Sequence, residues 1–148
     1  LLQKISMQHS NQYLKKLRDS GLRPTIQRIK ICEALFNKEK TFHFTIKNLA
    51  KIIENEKNVN ISLATVYNTV HAFKKKGYLK EIPITSSQSY YDTNVSYHHH
   101  FFDEEKKELI DINKDEVDEI NIKKKIPGKK IKSIEVIAKI VSDNQYQK

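Results

Sequence analysis

The chain has 148 residues, of which 38% are hydrophobic and 30% charged, with 27 lysines and arginines against 18 acidic residues. That suffices for one ordinary domain or two small ones around a modest core, and it contains no run of about 18 apolar residues that would span a bilayer. Cys32 is the single cysteine, which excludes an intrachain disulfide and a structural zinc site of four cysteines or of two cysteines and two histidines, so a metal here must be held mainly by nitrogen and oxygen.

The leading LLQKISMQHS has lysine and glutamine where a secretory signal would be apolar, so a cytoplasmic protein is expected. Tyr13, Leu14 and Leu17 at helical spacing predict a short helix over residues 10–20, closed by Gly21. A second helix is expected over residues 25–36, with Ile26, Ile29, Leu35 and Phe36 inward and Cys32 as a small core thiol. A third, over residues 45–56, turns Ile46, Leu49, Ala50 and Ile53 inward and is broken by NEKNVN. The fourth, residues 62–76, repeats Leu63, Val66, Val70 and Phe73 in steps of three and four, so one face is core. Ala64, Tyr67, Asn68, His71 and Lys75 then share the opposite face, which carries no carboxylate.

After Gly77, YLKEIPI and SYYD read as two short strands joined by TSSQ. Helices followed by such a hairpin predict a winged helix over residues 1–93. Beyond it, HHHFF and ELIDI read as strands, KDEVDEINIKK as an amphipathic helix, Pro127 and Gly128 as a turn, and IKSIEVIAKI as a strand. The expected fold class is α+β, an N-terminal winged-helix DNA-binding domain followed by a small α/β domain over residues 94–148. A unit of about 55 residues buries little by itself, so it is expected to pair with a copy of itself.

Charge separates the two parts. Residues 1–93 hold 13 Lys and 3 Arg against 7 acidic residues, whereas residues 94–148 hold 11 Lys against 11 acidic residues. A general preference for lysine would spread evenly; a phosphate-binding surface concentrates charge in one domain. A helix fits the major groove, where Asn pairs with adenine and apolar groups meet the thymine methyl. Tyr67, Asn68, His71 and Lys75, with Ala64 and Thr65, suit that work, and Lys74, Lys76, Lys80, Arg23 and Arg28 are candidates for phosphate or minor-groove contacts.

GLRPTIQRIKICEALF, HFTIKNLA, ISLATVYNTVHAFKKKGYLKEI and HHHFF follow in order the motifs of the ferric uptake regulator family, and the chain resembles that family over roughly residues 13–141. The tripled histidine before FF, without CxxC pairs, looks most like the iron response regulator branch, which senses haem status. The resemblance implies a homodimeric transcription regulator that is not an enzyme and binds AT-rich inverted repeats in double-stranded DNA. It also implies that Tyr67 reads base edges and Arg23 enters the minor groove.

If YHHHFF is a strand, His98 and His100 point to one face and His99 to the other. Two imidazoles make half a metal site; His43, Asp92 and Asp111 are candidates to complete it, and the resemblance places sensor ligands at all five positions. Nitrogen and carboxylate donors suit Fe(II), Mn(II) or Zn(II). The resemblance further implies His99, with Asp118, as the candidate for a second metal site or, after the iron response regulators, for haem. Three alternatives compete with an iron or haem regulator. A peroxide-sensing repressor of the same family would hold Fe(II), at which hydrogen peroxide is reduced and the protein's own ligands are oxidised. A metal-dependent hydrolase would need a substrate pocket and a nucleophile motif, for which the chain has no signal. In a metal-independent basic nucleic-acid binder, HHH would have no ligand role.

Overall fold

The computed structural model describes residues 2–144, with side chains from residue 7 onward. The chain divides into two compact units, Leu1–Val95 and Ser96–Lys148. Among the described residues no helix is long and apolar enough to cross a membrane. The fold is α+β, a winged helix followed by a small unit built on a sheet.

The first unit contains α1 (Leu2–Asp19), α2 (Ile26–Phe36), β1 (His43–Phe44), α3 (Ile46–Lys57), α4 (Leu63–Lys76), β2 (Lys80–Thr85) and β3 (Gln88–Asp92). Helix α1 begins well before the expected residue 10, and its packing residues are Tyr13 and Leu17. Side-chain caps start the next three helices. Thr25 accepts from the Arg28 N–H, Thr45 and Asn48 form a reciprocal capping box, and Ser62 accepts from the Thr65 N–H, each satisfying an amide that the helix leaves unpaired. Gly77 ends α4 at φ +86°, its N–H donating to Lys74 O while the Tyr78 N–H donates to Phe73 O. That left-handed closure is open to glycine at little cost.

One core gathers Leu17, Ile31, Leu49, Ile53, Val66, Val70 and Phe73, all closed to solvent. Two expected core positions are not in it: Leu63 is 48% and Ile26 78% exposed. Both sit in the first turn of their helices, beyond the reach of the packing partner. Thr69 is fully buried instead, and its hydroxyl donates to Thr65 O at 2.8 Å, which removes the cost of burying it. Cys32 is a buried core thiol, pushed up to about 12 by desolvation and therefore unreactive at neutral pH.

The wing is a three-stranded antiparallel sheet in the order β1-β3-β2. Its hairpin, β2 and β3, follows the expected segments; β1 was not expected, being only two residues long. The register pairs His43 with Asp92 and Phe44 with Tyr91. Reciprocal bonds between Phe42 and Thr93, Phe42 N–H to Thr93 Oγ1 at 3.0 Å and Thr93 N–H to Phe42 O at 3.2 Å, extend the pairing.

The second unit contains β4 (His99–Asp103), β5 (Glu108–Ile112) and β6 (Ile137–Ile140), in the order β5-β4-β6 with β4 and β5 antiparallel and β4 and β6 parallel. The helix expected over residues 114–124 does not form. Only a single 3-10 turn, Lys114–Glu116, is wound, and residues 117–136 have no helix or strand. Valine, isoleucine, asparagine and aspartate are poor helix formers, and a short helix without a packed face is marginal. The final strand is shorter than expected. β4 offers ladder partners only from His100 to Asp103, matched by Ile137 to Ile140.

Candidate metal centre and nucleic-acid face

In the first unit, the β1–β3 register brings His43 Nε2 to 3.1 Å from Asp92 Oδ2. Asp92 is 1% exposed, and its other oxygen accepts the Asn94 N–H at 2.8 Å. A buried carboxylate held beside an imidazole brings two kinds of metal-ligating atom within 3.1 Å of each other.

In the second unit, the β4–β5 register pairs His100 with Asp111. Asp111 Oδ1 lies 3.2 Å from His98 Nε2 and 3.4 Å from His100 Nε2, and the two rings are 4.4 Å apart. Both histidines are buried. The hydrogen bond of His98 fixes its tautomer. Nδ1 lies 2.7 Å from Ser96 O, and because a carbonyl only accepts, Nδ1 carries a hydrogen, so that in the neutral ring Nε2 is the nitrogen available to a metal beside Asp111. With the ring neutral, an imidazole nitrogen and a carboxylate oxygen stand at that separation, an arrangement that a cation between them stabilises. Two ligands each about 2.1 Å from a metal stand about 3.0–3.4 Å apart in octahedral or tetrahedral geometry. The separations within each unit fall at that spacing.

His99 lies on the opposite face, as alternation predicts, against Tyr97 with ring centres 5.1 Å apart. Its chemistry is the reverse of that of His98. The Val136 N–H donates to His99 Nδ1 at 3.0 Å, so the neutral ring carries its hydrogen on Nε2 and presents a donor where a metal or haem iron needs a lone pair. His99 and Asp118 line one cavity of about 530 Å3 with Asp115 and Glu119, yet neither belongs to a cluster of three or more metal-ligand side chains among the described residues. Of the two phenylalanines, Phe102 is buried and Phe101 is 37% exposed.

On α4, Ala64, Tyr67, Asn68 and Lys75 are exposed and His71 is half-buried. Tyr67 and His71 stack with ring centres 5.7 Å apart and planes 10° apart, which limits the tyrosine's rotamers. Thr65 is half-buried, its hydroxyl 2.9 Å from that of Ser62. Two expected phosphate ligands have other work. Arg28 donates from Nη1 to Arg23 O at 2.7 Å, tying down the segment that displays the exposed Arg23. Lys74 pairs with Glu81 on β2, whose carboxyl is held below its usual range by that bond, so the pair fastens the wing to α4. Neither partnership was legible in the sequence, because both partners are set by the fold.

The sequence pattern of the Ferric uptake regulator family matches residues 19–139. The chain is 34% identical over 107 residues to the peroxide operon regulator of Bacillus subtilis, covering 72% of each. It is 31% identical over 107 residues to the peroxide-responsive repressor PerR of Staphylococcus epidermidis, covering 72% of this chain and 69% of that one. Among solved structures, the ferric uptake regulator of Pseudomonas aeruginosa with manganese has a TM-score of 0.63 at 20% identity, covering 89% of this chain and 98% of that chain. The ferric uptake regulator of Helicobacter pylori has a TM-score of 0.65 at 13% identity, covering 96% and 94%. Structural likeness at such identities establishes the shared fold, and the family match over most of the sequence establishes descent: the chain belongs to the ferric uptake regulator family.

Proposed function

We propose that this chain is a homodimeric, metal-dependent transcription regulator that reads AT-rich inverted repeats through α4 and responds to iron status. The five donors His43, Asp92, His98, His100 and Asp111 would hold the metal, which would supply positive charge to these carboxylates and, as Fe(II), redox chemistry. One observation carries the reading: the buried His98 and His100 bring their Nε2 atoms to 3.2 and 3.4 Å from the same oxygen of Asp111, the spacing of ligands about one metal ion. Occupancy would favour one conformation of the regulator over another, and so would govern how two α4 helices of a dimer meet DNA. Tyr67, Asn68 and His71 would read bases, and Arg23 and Lys75 would meet phosphates or the minor groove.

A haem-responsive regulator of the iron response type has less support, since His99 offers an N–H in the tautomer its partner imposes. The peroxide-sensing reading has a specific observation behind it, the names and 34% and 31% identities of the two relatives above. It uses the same five ligands with iron in place of an inert metal.

Anisotropy of a labelled AT-rich inverted-repeat duplex, with metal-free, Mn(II)-loaded and haem-loaded protein, tests the proposal. Tight binding only with Mn(II), abolished by His98→Ala or Asp111→Ala, is the expected result. Equal binding by all three samples and by the variants would defeat it. A gain of one oxygen in mass at His43 or His98 after peroxide treatment of the Fe(II) form, with loss of DNA binding, would select the peroxide reading.

A further inference from the structure

The second unit is neutral only on average. Residues 120–134 hold six lysines, Lys123, Lys124, Lys125, Lys129, Lys130 and Lys132, and no carboxylate, while the rest of residues 96–148 holds five lysines and eleven acidic residues. The structure keeps these charges apart. All six lysines are exposed on a segment without helix or strand, turned at Pro127 and Gly128 by the Lys129 N–H donating to Ile126 O at 3.1 Å. Among the described residues none of the six forms an ion pair, whereas Lys15, Lys30, Lys38, Lys57 and Lys74 of the first unit all do.

Six ammonium groups on ten residues repel one another, and among the described residues no carboxylate pairs with them to offset that. An anionic partner would. Lysine is depleted from protein–protein interfaces, whereas nucleic-acid interfaces are wet and strongly positive, and a flexible ammonium meets phosphate as a point charge without fixed geometry. The limbs of the turn border an open cavity of about 830 Å3 lined by Ile122, Ile126 and Ile131 together with Lys124, Lys125, Lys129 and Lys130, so lysines and apolar side chains share this exposed surface.

We propose that residues 123–132 form a sequence-independent phosphate-binding loop that engages the backbone of duplex DNA in addition to the winged helix. This rests on the DNA-binding reading above. The test is the salt dependence of binding by the full chain to an AT-rich inverted repeat and to a scrambled duplex of equal length. Wild type is compared with a variant carrying Lys→Gln at all six positions and with one carrying Lys→Arg at all six. The Gln variant should lose roughly 2 to 4 from the slope of log K against log salt on both duplexes, at about 0.9 for each phosphate it no longer neutralises. Its affinity at about 0.1 M salt should fall at least tenfold by the same relation. The preference for the inverted repeat should be retained, and the Arg variant should match wild type. Unchanged slopes with binding intact would overturn the loop proposal alone. So would unchanged slopes accompanied by weaker self-association, which would assign the loop to a subunit interface. Failure of wild type to bind either duplex at low salt would instead defeat the DNA-binding reading, and the loop proposal with it.

Discussion

The two units solve the problem of burial differently. The first closes Leu17, Ile31, Leu49, Ile53, Val66, Val70 and Phe73 completely from water, with capped helices around them. The second buries Phe102, Leu109 and Ile112 beside three histidines, and leaves Ile110, Ile120, Ile122, Ile126, Ile131 and Val141 exposed. A unit of that size cannot cover its own apolar side chains. The contrast teaches that stability in this chain resides chiefly in the winged helix, while the second unit gives part of its small interior to His98, His99 and His100.

Phe73→Ala should be the most damaging substitution in the first unit. Removing a fully buried ring should cost the first unit about 3–5 kcal/mol, read as a shift of the urea midpoint at constant slope. A loss under about 1 kcal/mol would mean the core is looser than its burial implies. Ser62→Ala should cost about 1 kcal/mol, because the Ser62 hydroxyl caps α4 through the Thr65 N–H.

Lys74→Gln should cost only about 0.2–1 kcal/mol near neutral pH, and its pH dependence distinguishes it from a packing effect. Lys74 holds the Glu81 carboxyl below its usual 4.5. The pair's contribution is therefore fully present above about that pH and is lost as pH falls through the lower folded-state value. Urea midpoints of wild type and variant should converge on acidification from about pH 7 to about pH 3; a constant gap would deny the pair any part in stability.

Ile126→Ser probes the other side of the comparison. At 62% exposure it should change the stability of the monomer by no more than about 0.5 kcal/mol. A larger effect that grows with protein concentration would show a second copy covering this surface.

Much of the first unit was legible because its signals are local. Val66, Val70 and Phe73 recur at helical spacing, Ser62 and Gly77 bracket α4, and IPI-TSSQ-SYYD alternates around a turn. The second unit was less legible where packing had to decide. KDEVDEINIKK has a plausible helical pattern, but its β-branched residues and its lack of anything to pack against leave it unwound after Glu116. Strand β1 is two residues long and carries no periodicity, so the His43–Asp92 pairing could be anticipated only from family resemblance.

The amino-acid sequence by itself determined the order of elements in the winged helix, the concentration of charge in residues 1–93, and the presence of imidazoles and carboxylates without cysteine partners. These depend on residue type and spacing along the chain. Only the tertiary structure decided what each polar atom meets. Ser96 O takes the Nδ1 hydrogen of His98 while the Val136 N–H donates to Nδ1 of His99, Glu81 engages Lys74, and Arg28 holds the Arg23 segment. A side chain's hydrogen-bonding role is set by the group opposite it, and which group stands opposite is a property of the fold.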